Sequence, residues 1–122
     1  MTHSPGFLKL VDAAKTRIQE IGIDAYKKMV SEGTPHLLVD TREDNEWSAG
    51  HVAGALHLSK GIIERDIESK VPDKSTRLVL YCGGGFRSAL AADNLQKMGY
   101  AHVISLDGGW RALKDCGLKV EP

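Results

Sequence analysis

The chain has 122 residues, 42% of them hydrophobic, the size at which one domain closes around one core. Sixteen Lys and Arg balance sixteen Asp and Glu, so no surplus charge draws the protein onto nucleic acid or an anionic membrane. The cysteines Cys82 and Cys116 form no CxxC pair, which excludes a disulfide scaffold and a thiol-rich zinc site and fits a reducing compartment.

In chain order, MTHSPGFLKLVDAAKTRIQE lacks the apolar segment of a signal peptide, and Asp12 and Glu20 count against a transit peptide. No stretch approaches the roughly 20 apolar residues that cross a bilayer, so a cytoplasmic protein is expected. Phe7, Leu8, Val11, Ala14 and Ile18 stand at helical spacing behind the start signal Ser4-Pro5. A second helix is predicted from Ala25 to Glu32, stopped at Gly33, before the buried strand Leu37 to Val39. Ile62, Ile63 and Ile67 predict a short helix around Gly61 to Ser69, and Pro72-Asp73-Lys74 turns the chain into a second buried strand, Leu78 to Tyr81. A helix from Arg87 to Met98 ends at Gly99, His102 to Leu106 forms another strand, and a last helix runs near Trp110 to Asp115 and closes at Gly117.

Alternating strands and helices of these lengths predict an α/β fold, with a mainly parallel sheet covered on both faces. Residues 1–17 read as an N-terminal helical extension and 18–122 as one domain, without repeats or linkers. Ligands in such sheets bind beyond the carboxyl ends of the strands. Asp40 and Cys82 both fall at that edge.

The stretch YCGGGFRS, residues 81–88, ends a strand with a lone thiol and follows it with glycines. Gly83, Gly84 and Gly85 can take φ values closed to other residues, turning successive N–H groups toward one point as an anion-binding nest. The helix opening near Arg87 adds its positive end. An unperturbed thiol, with a pKa of about 8.5, is only about 3% thiolate at pH 7. Lowering that pKa by about two takes about 2.7 kcal/mol. A helix dipole gives up to ~2 kcal/mol and a charge-assisted hydrogen bond about 1.5–3 kcal/mol, so the loop can make Cys82 a nucleophile. The alternative is a small core residue ahead of a tight turn. Arg87 favours the nucleophile, because a buried structural thiol needs neither a fixed cation nor a ring of donors.

From about Ile18 to Val120 the chain resembles the single-domain rhodanese family of sulfurtransferases. Three stretches carry the resemblance: LLVDTREDNEWSAGHVAGALHLS at 37–59, LVLYCGGGFRSALAADNLQKMGY at 78–100 and VISLDGGW at 103–110. Asp40, Arg42, Glu43, Glu46, Gly50, His51, Gly54 and Ala55 fall on the family's upstream signature, and Cys82 to Arg87 on its active loop. The family often carries Trp where this chain has Leu113, so the packing there is expected to differ. The resemblance implies a rhodanese-like three-layer domain. Cys82 would be the catalytic residue, with Gly83, Gly84, Gly85, Phe86 and Arg87 binding substrate and neither metal nor cofactor required.

It further implies that the Cys82 thiolate attacks the outer sulfur of a donor such as thiosulfate, releases sulfite and holds the sulfur as a persulfide. Cyanide, a cellular thiol or a sulfur-accepting protein then removes it. Sulfite leaves without a proton, and the donors of the loop hold the negative persulfide, with Arg87 orienting the anion. Two rivals share parts of the pattern. Rhodanese-fold phosphatases and arsenate reductases place Cys before a loop that ends in Arg and is one residue longer than the four residues Gly83 to Phe86. Non-catalytic rhodanese-like modules bind partners only and frequently lack the cysteine.

Other residues suit packing or scaffold roles as well as functional ones. Asp40 and Arg42 lie near the site but read better as scaffold, and His51 as a hydrogen-bonding residue of the fold. His3, His36, His57 and His102 show no metal-ligand spacing. Trp47 and Trp110 pack or wall the pocket. Cys116 packs, or resolves a Cys82 persulfide as a disulfide. Lys60 and Arg65 line the entrance or are solvated surface.

Overall fold

The computed structural model describes residues 3–122. Helices and strands alternate as α1 (Pro5–Lys15), β1 (Gln19–Ile21), α2 (Ile23–Ser31), β2 (Leu37–Asp40), α3 (Asp44–Ala49), β3 (His51–Val52) and β4 (Leu56–His57). There follow α4 (Ile63–Lys70), β5 (Arg77–Tyr81), α5 (Phe86–Lys97), β6 (His102–Leu106), α6 (Gly109–Leu113) and β7 (Val120–Glu121). Five strands form one sheet in the order β1-β6-β5-β2-β4, every neighbouring pair parallel. Strands β3 and β7 pair antiparallel in a separate ribbon.

The apolar runs in the central strands follow from burial on both faces, since successive strand residues point to opposite sides. Val39, Leu78, Leu80 and Val103 join Ile63 and Ile67 of α4 and Ala91, Ala92 and Leu95 of α5 in one core. Leu38, Val79, Tyr81, Ile104 and Leu106 join Tyr26 of α2 and Leu113 of α6 in the other. The expected α/β architecture is therefore present, as helix, sheet and helix layers.

Helix α1 starts as predicted, with Ser4 at the N-cap and Pro5 in the first turn. It buries Val11 and Ala14 and packs against α5. Beyond its end, Arg17 donates Nε and Nη2 to the two carboxylate oxygens of Asp93, at 3.0 and 2.7 Å.

The elements that periodicity does not announce are the short ones: α3, β1, β3, β4 and β7. A strand such as Gln-Glu-Ile carries no apolar run, and its pairing with β6 decides its state. The last helix is shorter than predicted: it ends at Leu113, which is fully buried, with Lys114 as its C-cap.

Register fixes the functional edge. Asp40 lies opposite Tyr81, and Leu80 opposite Ser105, so β2, β5 and β6 all deliver their carboxyl ends to one rim of the sheet.

Candidate active site

Strand β5 ends at Tyr81 and α5 opens at Phe86, leaving Cys82, Gly83, Gly84 and Gly85 as the loop between them. Of its three glycines only Gly85, the N-cap of α5 with φ 113°, adopts a left-handed conformation. The conformational freedom that all three offer is used at Gly85 alone. At Gly83 and Gly84 the missing side chain leaves room for cations. A Cβ at Gly83 would stand 3.1 Å from a guanidinium nitrogen of Arg87, and one at Gly84 would stand 3.8 Å from one of Arg111.

The loop is shaped from behind by α6. The Trp110 N–H donates to the Cys82 carbonyl at 2.7 Å, the Arg111 N–H to the Gly83 carbonyl at 3.2 Å, and the Gly108 N–H to the Gly84 carbonyl at 3.2 Å. With these carbonyls engaged, the Gly85 N–H is free to donate to Cys82 Sγ at 3.1 Å. Gly109 makes the close approach possible, since a Cβ there would collide with the Cys82 carbonyl oxygen.

Cys82 is buried, and burial alone would push its thiol up. The Ser88 hydroxyl and the backbone N–H groups of Ser88, Gly85 and Gly84 outweigh that cost and hold the thiol below its ordinary value. Ser88 Oγ lies 3.6 Å from Cys82 Sγ and 2.8 Å from Ser105 Oγ. Against a thiolate, which can only accept, Ser88 must donate to the sulfur and so accepts from Ser105. Both serines are fully buried, which makes this an oriented relay.

Arg87 does not stand alone. Its Nη1 and Nη2 donate to Glu46 Oε1 and Oε2 at 2.7 and 3.2 Å. The pair raises the Arg87 pKa and holds the Glu46 carboxyl below its usual range. Glu46 also accepts the Glu43 N–H at 3.1 Å, closing the capping box of α3.

A cavity of about 690 Å³ opens over the loop. Cys82, Gly83, Gly84, Phe86, Arg87 and Glu46 line it, together with Arg111 of α6 and with His3 and Phe7 from the N-terminal segment. Gly85 lies beneath, donating to the sulfur. Sequence reasoning missed Arg111, His3 and Phe7. The signal for Arg111 is its place in the first turn of a helix that follows β6 at the functional rim. His3 and Phe7 reach the site only because α1 packs on α5, with the Phe7 and Phe86 ring centroids 6.2 Å apart.

The scaffold residues are equally plain. Arg42 Nε and Nη2 donate to the Asp40 carboxylate at 2.8–3.1 Å, and Nη2 also donates to the Gly50 carbonyl at 2.7 Å. Arg42 and Asp40 are 3% and 0% exposed, and the Arg42 guanidinium lies over Trp110, 4.5 Å from the ring centroid. A buried charge pair of this completeness fixes the rim rather than meeting solvent. Trp47 stacks with both His51 and His57, with centroids 3.4 and 4.7 Å away, and His51 Nδ1 lies 2.9 Å from the Trp47 carbonyl.

Lys60 and Arg65 do not line the entrance. Lys60 pairs with Glu64 at 2.8 Å and Arg65 with Asp66 at 2.7 Å, both outside the Cys82 cavity. Cys116 packs against the core beneath α2 and α6 and does not line that cavity. Among the described residues, no cluster of His, Cys, Asp or Glu is placed to hold a metal ion, and no helix is long and apolar enough to cross a membrane.

Comparison with known proteins agrees with this fold. The model of the rhodanese-like domain matches residues 23–116. Thiosulfate sulfurtransferase PspE of Escherichia coli is 32% identical over 80 residues, which cover 66% of this chain and 73% of PspE. YrkF of Bacillus subtilis is 29% identical over 94 residues, 77% of this chain and 50% of YrkF; the chain thus spans half the length of that relative. Among solved structures, Rhodopseudomonas palustris RPA3614, described as a protein of unknown function and a possible tyrosine phosphatase, superposes with a TM-score of 0.79. The two are 28% identical, over 99% of this chain and 98% of that one. With a family match spanning both the upstream signature and the cysteine loop, the chain belongs to the rhodanese-like domain family.

Proposed function

We propose that the protein is a sulfurtransferase carrying sulfane sulfur on Cys82. The observation that supports this most directly is the placement of Cys82 Sγ against the Gly85 N–H at 3.1 Å, in a loop with four residues between Cys82 and Arg87. The Cys82 thiolate attacks the outer sulfur of thiosulfate. A new S–S bond forms to Cys82 as the bond to the sulfonate sulfur breaks, and sulfite departs with that electron pair. The persulfide's terminal sulfur carries the negative charge, which the N–H groups of the loop and Arg87 stabilise. Cyanide, a thiol or an acceptor protein then attacks that sulfur, and the Cys82 thiolate is released. No proton is required in either direction with cyanide, which matches a site that offers Cys82 fixed hydrogen-bond donors.

The description of RPA3614 favours a second reading, phosphatase chemistry at the same cysteine. A loop of this length argues against it, because a phosphate needs a wider cradle than one sulfur atom.

The deciding experiment is incubation with thiosulfate followed by intact-mass measurement. The expected result is a gain of one sulfur atom, its removal by cyanide with release of thiocyanate, and loss of both in Cys82→Ser. Thiocyanate formation by the Cys82→Ser protein, or aryl-phosphate hydrolysis by the unmodified protein at a comparable rate, would overturn the assignment.

A further inference from the structure

The cavity over Cys82 holds two guanidinium groups in different electrical states. Both Nη atoms of Arg87 are engaged by Glu46, so the pair has no net charge, although its cationic end stands beside Cys82. Arg111 is exposed, and among the described residues no carboxylate stands within ion-pair distance of it, in contrast to Arg17, Arg42, Arg65 and Arg87. Its place beside the cysteine loop is nonetheless fixed by main chain, because its own N–H donates to the Gly83 carbonyl at 3.2 Å. Its guanidinium reaches over Gly84, where even a Cβ would come within 3.8 Å of it.

The remaining walls leave an anion little choice of direction. Phe7 and Phe86 form an aromatic side, with His3 beside the Phe86 ring at 5.0 Å between centroids. Lys15, which lies over Phe86, is within 3.3 Å of Glu20 and 4.0 Å of Asp107, so its charge is already shared. With the Glu46–Arg87 pair neutral, a thiolate at Cys82 leaves the cavity negative unless Arg111 is counted. A dianionic donor approaching that thiolate is repelled at close range, and Arg111 is the cation that offsets the repulsion.

We infer that Arg111 is a substrate-binding residue that takes the oxyanion end of the sulfur donor, while Arg87, held by Glu46, serves the loop and the persulfide. This rests on the sulfurtransferase reading, in which the donor presents sulfonate oxygens and sulfite is the leaving group. Cys82, Gly84 and Arg111 all face the one cavity of about 690 Å³, with the sulfonate placed toward Arg111 and the outer sulfur toward Cys82.

The test compares the unmodified protein with Arg111→Gln and Arg111→Lys in the thiosulfate-to-cyanide assay. For Arg111→Gln, KM for thiosulfate should rise about three- to tenfold, the size of a charge-assisted contact discounted for solvent screening. The change in kcat should be smaller, and the cyanide half-reaction should keep its rate. Arg111→Lys should recover part of the loss, and the rise of KM with added salt should be shallower in Arg111→Gln. A second arm needs no turnover: calorimetric titration of sulfite into Cys82→Ser protein, with and without Arg111→Gln, should show weaker binding in the double variant. Equal thiosulfate KM values together with equal sulfite affinities would overturn the inference. An unmodified protein that transfers no sulfur would overturn the sulfurtransferase reading instead, and the sulfite titration would still decide whether Arg111 binds the oxyanion.

Discussion

Glu46 grips Arg87 through both carboxylate oxygens, and one of those oxygens also closes the first turn of α3 by accepting the Glu43 N–H. One side chain thereby ties a short helix after β2 to the cation of the cysteine loop. Glu46→Gln keeps an acceptor for the cap and removes the charge that fixes the guanidinium. Because Arg87 and Glu46 side chains are 31% and 34% exposed, the loss of stability should stay below about 1 kcal/mol. The expected kinetic signature is a fall of about tenfold in kcat as Arg87 loses its fixed position, with no rise in KM for thiosulfate because the cavity gains net positive charge. Steady-state kinetics beside a thermal melt separate the two effects. An unchanged kcat would show that Arg87 needs no holding by Glu46.

Cys82 has a folded-state pKa below its ordinary value: burial opposes ionisation, and the Ser88 hydroxyl with the loop N–H groups more than offsets it. The free thiol ionises near about 8.5. Between the depressed folded value and that reference the unfolded chain binds the proton and the folded chain does not, so stability rises with pH across the window. The contribution is complete above the unfolded value and is lost as pH falls through the folded one. Iodoacetamide alkylation of Cys82, followed by peptide mapping, should therefore show a midpoint below about 8.5, and Ser88→Ala should move that midpoint upward. A midpoint unmoved by Ser88→Ala would remove the Ser105–Ser88 relay from the account.

Gly109 supplies the tightest steric constraint at the site. Its φ of 47° is left-handed, and a Cβ would collide with the Cys82 carbonyl oxygen, a backbone atom that cannot swing aside. Gly109→Ala should therefore push α6 off the loop and lengthen the Trp110 N–H bond to the Cys82 carbonyl, now 2.7 Å. Persulfide formation is expected to fall at least about tenfold, since misplacement on the order of 1 Å costs catalytic geometry heavily. Gly117→Ala is the control: it also has positive φ but nothing within 4 Å of its Cβ position, so it should leave sulfur transfer near the unmodified rate.

Much of this was legible in the sequence, and the rest was not, for physical reasons. The apolar runs Leu37 to Val39 and Leu78 to Tyr81 announce strands because burial on both faces demands them. The Ala-rich stretch after Arg87 announces α5 through propensity. The cysteine loop follows from its glycines, although only Gly85 needs its conformational freedom and the other two serve as space for arginine side chains. Nothing local could place Glu46 against Arg87 or bring Phe7 to Phe86, since these contacts join residues far apart in sequence through the packing of α3 and α1. Arg111 carries a weak signal, its place in the first turn of the helix after β6, and the hydrogen bonds from α6 to the loop carbonyls make that helix part of the site.

Leu113, where the resemblance to rhodaneses leads one to expect Trp, is 0% exposed among Tyr26, Leu38, Val52, Val79 and Leu106. Trp110 packs against the edge of this cluster. Leu113→Ala should cost about 2–5 kcal/mol, the transfer energy of the lost methyl groups plus the cavity left beneath α6. Leu113→Trp should also destabilise, by about 1–3 kcal/mol, because an indole has no room without displacing its neighbours. Urea unfolding midpoints measure both. Stabilisation by Trp at this position would mean that the core beneath α2 and α6 holds space that Leu113 leaves unfilled.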